Sequence, residues 1–148
     1  MEIPNKVDNQ ILITLATQFR KAIENTPNLD IPLDQFPKGA CGTTCDLLAE
    51  WLWEHGIESS YYCGKRSNGG YTHAWLEVEG FIIDITGDQF PEFPKAVYVG
   101  PLTPFHVQFC LPQVERDMIN GFHCYDDRTI SRLEREYKKI INNMSLSE

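Results

Sequence analysis

The segment THAWLEVEGFIIDIT, residues 72–86, constrains the fold of this chain more than any other part of the sequence. Glu79 and Gly80 suit a two-residue hairpin turn between two runs of alternating residues. That turn pairs only apolar residues on one face of the sheet, and these pairs are Val78 with Phe81, Leu76 with Ile83 and Ala74 with Ile85. Because one face is then uniformly apolar, the pattern predicts an antiparallel hairpin with this register.

The opposite face of the predicted hairpin carries a histidine and an aspartate. In the same register Trp75 faces Asp84 and His73 faces Thr86, so His73 and Asp84 become diagonal neighbours about 7–8 Å apart at their backbones. Their side chains are long enough to close that gap. A carboxylate beside one imidazole nitrogen fixes the tautomer and stabilises the charged ring that forms when the other nitrogen takes a proton. Asp84 also lies between two isoleucines, which is a costly place for a carboxylate without a partner.

Helical periodicity flanks this region on both sides. Apolar residues recur at three- and four-residue spacings in residues 8–25, in residues 43–55 and from Asp127 onward, which predicts three amphipathic helices. Between them, short β-branched and aromatic runs predict a small, mostly antiparallel sheet with the strands SSYYCG, THAWLEV, FIIDIT, KAVYVG and HVQFCL. We expect one α+β domain over residues 1–148, with helices packed on the sheet.

Two cysteines precede or open the middle helix, in the segment GACGTTC. Thr43 and Asp46 resemble a capping box at the helix start, and Gly56 is a natural C-terminal cap. Cys41 falls at or just before that start, where unpaired N–H groups and the helix dipole favour a thiolate. Its small neighbours, two glycines and an alanine, leave room for a substrate carbonyl. Cys45 instead begins a buried helical stripe, so Cys41 is the predicted nucleophile.

Charge and cysteine content narrow the possible partners and locations. The 148 residues carry a net charge of −8 and include five cysteines. The negative charge argues against nucleic acid and anionic membranes as partners. An odd cysteine count, a first segment without signal-peptide character and the lack of a bilayer-length apolar run favour a reducing, cytoplasmic location. A chain of this length buries about 70% of its unfolded surface, so it needs no disulfide or metal to fold.

Other interpretations of the same residues compete with catalysis by Cys41. A metal site would use Cys41, Cys45, His123 and Cys124, but their spacing matches no strong zinc pattern, and we expect no metal and no other cofactor. The remaining polar candidates are interpreted as strand or packing residues, namely His106, Cys63 and Cys110. A protein-binding module that keeps the fold without catalysis is the alternative from a different functional class.

Three segments together resemble the transglutaminase-like branch of the papain-like cysteine enzymes, specifically a small, bacterial-type single-domain member: FPKGACGTTCDLLAEWL, YTHAWLEVEG and FIIDITGDQF. The resemblance covers about residues 36–90. In that superfamily the cysteine opens a helix, and the histidine and aspartate lie on successive strands in this chain order. The resemblance therefore implies a papain-like core, in which the nucleophile-bearing helix packs on the sheet, and a catalytic triad of Cys41, His73 and Asp84.

The combined pattern predicts a thiol enzyme that attacks an amide or peptide carbonyl through an acyl-enzyme. Water resolves the acyl-enzyme in a peptidase, amidase or deamidase, and an amine resolves it in an acyltransferase; the sequence leaves both open, as it does the oligomeric state. A protein or peptide is the expected substrate. Trp75 shares the sheet face of His73, so we expect its indole to line the substrate site or to cover the triad from water.

Overall fold

The structure, a computed structural model, describes residues 7–146. Its α-helices are α1 (Asn9–Asn25), α2 (Cys41–Glu54), α3 (Pro104–Val107) and α4 (Asp127–Leu146). Its strands are β1 (Ser60–Lys65), β2 (Thr72–Val78), β3 (Phe81–Asp84), β4 (Tyr98–Gly100) and β5 (Leu111–Asp117). Short 3-10 helices cover Leu33–Gln35, Gly87–Gln89 and Gly121–Cys124. Within residues 7–146, none of the helices combines the length and apolar character that crossing a bilayer requires.

The five strands form one antiparallel sheet in the order β4-β3-β2-β1-β5. The predicted register of the central hairpin is confirmed, because Val78 pairs with Phe81 and Leu76 pairs with Ile83. Glu79 and Gly80 have φ values of 50° and 84°. Positive φ at both central residues is the requirement of a type I′ turn, whose twist matches that of the strands it joins.

The two faces of the sheet bury different kinds of side chain. On one face, alternate residues of β2 and β3 join a large aliphatic core with α1, α2 and α4. On the other face, an aromatic cluster covers the strands, and its buried members are Trp75, Ile82, Phe90, Phe93, Phe105 and Phe109. The predicted α+β class is confirmed, as is the packing of the Cys41 helix against the sheet.

The predicted strand at HVQFCL is wrong, because residues 104–107 form the short helix α3. Thr103 caps this helix: its side-chain oxygen accepts a hydrogen bond from the backbone N–H of His106 at 3.1 Å. Pro104 occupies the first helical position, where its missing N–H costs nothing. The fifth strand runs instead over Leu111–Asp117, an edge strand that is mostly exposed and lacks the apolar alternation that identifies a strand from sequence.

The predicted capping box at Thr43 and Asp46 is also wrong, because α2 begins at Cys41 and its N-cap, Ala40, supplies no side-chain hydrogen bond. Cys41 is therefore the first residue of the helix. At the other end, His55 is the C-cap and Gly56 follows with a φ of 78°, as a C-terminal cap requires.

A buried arginine ties α1 to the segment that follows β3. Arg20 is 6% exposed. Its guanidinium donates to the carbonyl of Ile85 at 2.8 Å and to both carboxylate oxygens of Asp88, each at 2.8 Å. The ring of Phe36 lies 4.7 Å from the guanidinium carbon. Because Ile85 directly follows Asp84 in the chain, this contact helps to hold the end of β3 in place.

We predict that Arg20→Met lowers the free energy of unfolding by about 2–4 kcal/mol, because the carbonyl of Ile85 and the carboxylate of Asp88 lose a charged donor. The matched control is Lys21→Met on the exposed side of the same helix, which should change stability by less than about 0.5 kcal/mol. Urea unfolding of both variants measures the difference. Equal effects of the two substitutions would show that the buried contact adds no stability.

Candidate active site

Cys41 is held beside the central hairpin by contacts on both sides of the helix start. A side chain at Gly42 would place its Cβ 3.1 Å from the hydroxyl of Tyr61, so glycine lets α2 approach β1 closely. The backbone N–H of Gly39 donates to the side-chain oxygen of Gln89 at 3.4 Å, and the amide nitrogen of Gln89 donates to the carbonyl of Thr86 at 3.1 Å. Gln89 thus bridges the approach to Cys41 and the end of the hairpin.

The predicted contact between His73 and Asp84 is present. Nε2 of His73 lies 2.7 Å from Oδ2 of Asp84, and the residues are 0% and 1% exposed. A second carboxylate oxygen, Oδ1, accepts the backbone N–H of Thr86 at 3.0 Å. The diagonal placement that the hairpin register predicted therefore gives a fully buried imidazole–carboxylate pair.

The other ring nitrogen of His73 is directed to the nucleophile. Nδ1 is buried and has no nitrogen or oxygen partner within residues 7–146; its interaction is with the thiol of Cys41. The thiol of Cys41 lies close enough for its charge to interact with this ring, and Cys41 packs at the edge of the aliphatic core. His73 thus stands between the thiol and the carboxylate, with one nitrogen for each.

Electrostatics favour a thiolate at Cys41. Burial raises the pKa of the Cys41 thiol, but the hydrogen-bonding and charge interactions with His73, together with the backbone of Ala74, outweigh burial and hold the pKa below its ordinary value. Burial raises the pKa of the thiols of Cys45, Cys63 and Cys124. Thr72 acts against burial at Cys63 and Arg116 does so at Cys124, but neither outweighs it. The predicted distinction between Cys41 and the fully buried Cys45 agrees with this difference.

The same interactions keep His73 protonated. Burial alone would lower the pKa of His73, but the hydrogen bond and charge of Asp84, and then the Cys41 thiolate, raise it to about 9. Burial would likewise raise the pKa of Asp84, but hydrogen bonds from His106 and His73 hold it well below its usual range. At neutral pH His73 is therefore an imidazolium beside the Asp84 carboxylate, and its charge favours the thiolate form of Cys41.

His106 is a site residue that the sequence interpretation missed. Its Nε2 lies 2.8 Å from Oδ2 of Asp84, and the residue is 1% exposed. The strand predicted at HVQFCL assigns it a strand or packing role, whereas it lies in the helix that begins at Pro104. A threonine followed by a proline is a usual helix N-terminus, so that local signal was available, although the contact with Asp84 was not.

Trp75 lies over the imidazoles rather than on an open surface. Its residue is 2% exposed, and its ring centroid lies 4.7 Å from that of His106 and 5.6 Å from that of His73. A side chain this buried offers almost no surface to a substrate, so the geometry agrees with the second predicted role, which is to exclude water from the pair.

The structure does not assemble the metal site considered from sequence, because Cys41, Cys45, His123 and Cys124 do not form a group at ligand spacing within residues 7–146. His123 instead lies between Glu50 at 3.1 Å and Glu134 at 3.3 Å. The ligand atoms of His73, Asp84 and His106 do lie within 4.8 Å of one another. Their 2.7 and 2.8 Å contacts are ordinary hydrogen bonds, which explain this spacing without a metal.

Comparisons of this chain with protein-family models, with curated proteins and with solved structures found no significant match.

We predict that Cys41 reacts with iodoacetamide at pH 6.5 at least about tenfold faster than it does in the variant His73→Gln. Glutamine can still donate to Asp84 but carries no positive charge, so burial is no longer outweighed and the pKa of Cys41 should rise. The exposed Cys110 is the internal reference and should label equally in both proteins. Mass spectrometry of each labelled cysteine against time gives the rates, and identical Cys41 rates would remove His73 from thiol activation.

Proposed function

We propose that this chain is a cysteine-dependent enzyme with a papain-like, transglutaminase-like core that attacks an amide or peptide carbonyl. Cys41 acts as the nucleophile, His73 as the acid and base, and Asp84 as the group that orients His73. One observation carries the proposal: a fully buried imidazole has one nitrogen bonded to a carboxylate, while the other has no nitrogen or oxygen partner and interacts with the Cys41 thiol.

In the first half of the reaction, the Cys41 thiolate attacks the carbonyl carbon and forms a C–S bond. Negative charge moves to the carbonyl oxygen. The backbone N–H groups of the first turn of α2 lack intrahelical acceptors, so they are suited to stabilise this oxyanion. Nδ1 of the His73 imidazolium then gives its proton to the leaving nitrogen, the C–N bond breaks, and ammonia or an amine departs from the acyl-enzyme.

In the second half, a water or an amine attacks the acyl-enzyme. Nδ1 of the now neutral His73 takes the proton of that nucleophile, the C–S bond breaks, and the Cys41 thiolate is regenerated as the ion pair with His73. Asp84 keeps Nε2 of the ring protonated and Nδ1 directed towards the sulfur through both halves. Water yields a peptidase, amidase or protein deamidase; an amine yields an acyltransferase of the transglutaminase kind.

The proposed setting is the cytoplasm, with a protein or peptide as substrate. Cys41 must remain reduced to act, and all five cysteines of the structure are free thiols. A net charge of −8 repels nucleic acid and anionic lipid, which supports leaving both out of the proposal.

A protein-binding module that retains the fold is the alternative. Protein binding does not require an activated thiol. This alternative therefore predicts that the rate of Cys41 alkylation is no higher than that of an ordinary buried cysteine. The labelling experiment above therefore separates the two functions before any substrate is known.

The substrate class follows from comparing a cell lysate treated with the wild-type protein and with Cys41→Ala. Proteins with new termini indicate a peptidase, gains of about one dalton indicate a deamidase, and added amines indicate an acyltransferase. The expected result is one of these changes, found only with the intact thiol. If Cys41 labels slowly and no such change occurs, the binding module becomes the better description.

For the substrate found in this way, we predict that Asp84→Asn lowers kcat/KM about a hundredfold or more while the domain still folds. An asparagine can present its oxygen to the two histidines, but its NH₂ group then meets the N–H of Thr86 and disturbs the orientation of the carbonyl. The control is Asp34→Asn, an exposed carboxyl in the segment before α2, which should keep wild-type activity. Full activity in the folded fraction of Asp84→Asn would make Asp84 a structural residue.

A further inference from the structure

Asp84 serves two imidazoles through a single oxygen. Oδ2 lies 2.7 Å from Nε2 of His73 and 2.8 Å from Nε2 of His106, while Oδ1 accepts the backbone N–H of Thr86. The three donors come from β2, from α3 and from the residue two positions after Asp84, and together they engage both carboxylate oxygens. The mechanism proposed above uses His73 but assigns no role to His106.

Thr103 and Asp84 contact the two ring nitrogens of His106. Its hydroxyl oxygen accepts the backbone N–H of His106 at 3.1 Å and lies 2.6 Å from Nδ1 of the same ring. Nε2 faces an ionised carboxylate, which only accepts hydrogen bonds, so Nε2 carries the proton. In the neutral ring Nδ1 then accepts the hydroxyl hydrogen of Thr103. The carboxylate thus sets which nitrogen of His106 donates, and the helix cap holds the other nitrogen in place.

Aromatic side chains hold the ring of His106 in this position. Trp75 meets it edge to face at 4.7 Å between ring centroids, and Tyr98 from β4 stacks on it at 5.6 Å. Behind the carboxylate, a Cβ at Gly87 would lie 3.1 Å from Oδ2 of Asp84, so the backbone also closes that side. Neither the ring nor the carboxylate has room to turn away from the other.

We propose that His106 is a positioning residue of the active site, which holds Asp84 ionised and aimed at His73 through the hydrogen bond that Thr103 directs. The inference rests on the function proposed above. It extends the Cys41–His73–Asp84 triad by two residues that touch neither the sulfur nor the substrate. Its consequence is that changing His106 alters the reactivity of Cys41, although Asp84 and His73 lie between the two side chains.

The direction of the effect follows from the charges around Asp84. Two imidazoles face Asp84, those of His73 from β2 and His106 from α3. The thiols of Cys41 and Cys45 from α2 also interact with its charge. Tyr98 from β4 lies beyond His106. Burial favours the protonated carboxyl, and the hydrogen bond from His106 is the largest opposing contribution. Without that donor the pKa of Asp84 rises, so its negative charge is lost at a higher pH. Because that charge stabilises the His73 imidazolium, the decline of Cys41 labelling on the acid side also moves to higher pH.

The test compares His106→Phe, which keeps an aromatic ring but has no donor, with His106→Gln, which keeps an N–H near the position of Nε2. Cys41 labelling with iodoacetamide is measured from pH 5 to pH 9, with Cys110 as the reference and the folded fraction determined by circular dichroism. At pH 6 we expect a loss of about tenfold for His106→Phe and of less than about threefold for His106→Gln. At pH 9 both should approach the wild-type rate.

A purely structural role predicts a different result. Both variants would then lose thermal stability, but their folded fraction would label with the wild-type pH dependence, and this outcome would overturn the inference. If His106→Phe does not fold, Thr103→Val is used in its place and Thr103→Ser is its control: valine keeps the shape of threonine but loses the hydroxyl that contacts Nδ1 and caps the helix, whereas serine keeps that hydroxyl. Equal acid limbs for those two variants would also overturn it. Failure of the proposed function is distinguishable, since Cys41 labelling would then already be independent of His73 in the otherwise wild-type protein.

Discussion

A carboxylate with 1% of its surface exposed must find its hydrogen bonds inside the protein, and Asp84 finds three. One donor lies on the neighbouring strand, one follows it in the chain, and the third, His106, lies on α3. A buried carboxylate without hydrogen-bond partners lowers the free energy of unfolding by several kcal/mol, so all three donors must be in position for a stable fold. The position of α3 on the sheet and the geometry of the candidate site therefore depend on each other.

Successive side chains of β2 point to opposite faces of the sheet, and the two faces have different roles. Ala74, Leu76 and Val78 enter the aliphatic core beneath the helices, whereas His73 and Trp75 enter the aromatic cluster. The aromatic rings keep water away from the charged pair, and a charge interaction is stronger where water is excluded. The helices supply a rigid platform for the thiol. The sheet supplies the proton carrier and its partner, and the candidate site forms where these two layers meet.

Local sequence patterns predicted the parts of the site that local geometry determines. The turn at Glu79 and Gly80 fixes the register, and the register alone brings His73 to Asp84. The contact of His106 with Asp84 spans 22 residues and depends on how the aromatic cluster packs a one-turn helix, which has no periodic signal of its own. The edge strand β5 was missed for a related reason, since an exposed strand needs no apolar alternation.

Stability alone does not account for this network. Replacing buried charged groups with apolar side chains of similar volume is often neutral or stabilising, and an aromatic cluster that already contains four phenylalanines could accommodate such a replacement. In this network Asp84 and both ring nitrogens of His106 have nitrogen or oxygen partners, whereas Nδ1 of His73 has none and interacts with the Cys41 thiol. A ring nitrogen beside the thiol that is not held by another polar group is what the proposed proton transfer to and from a substrate at Cys41 requires.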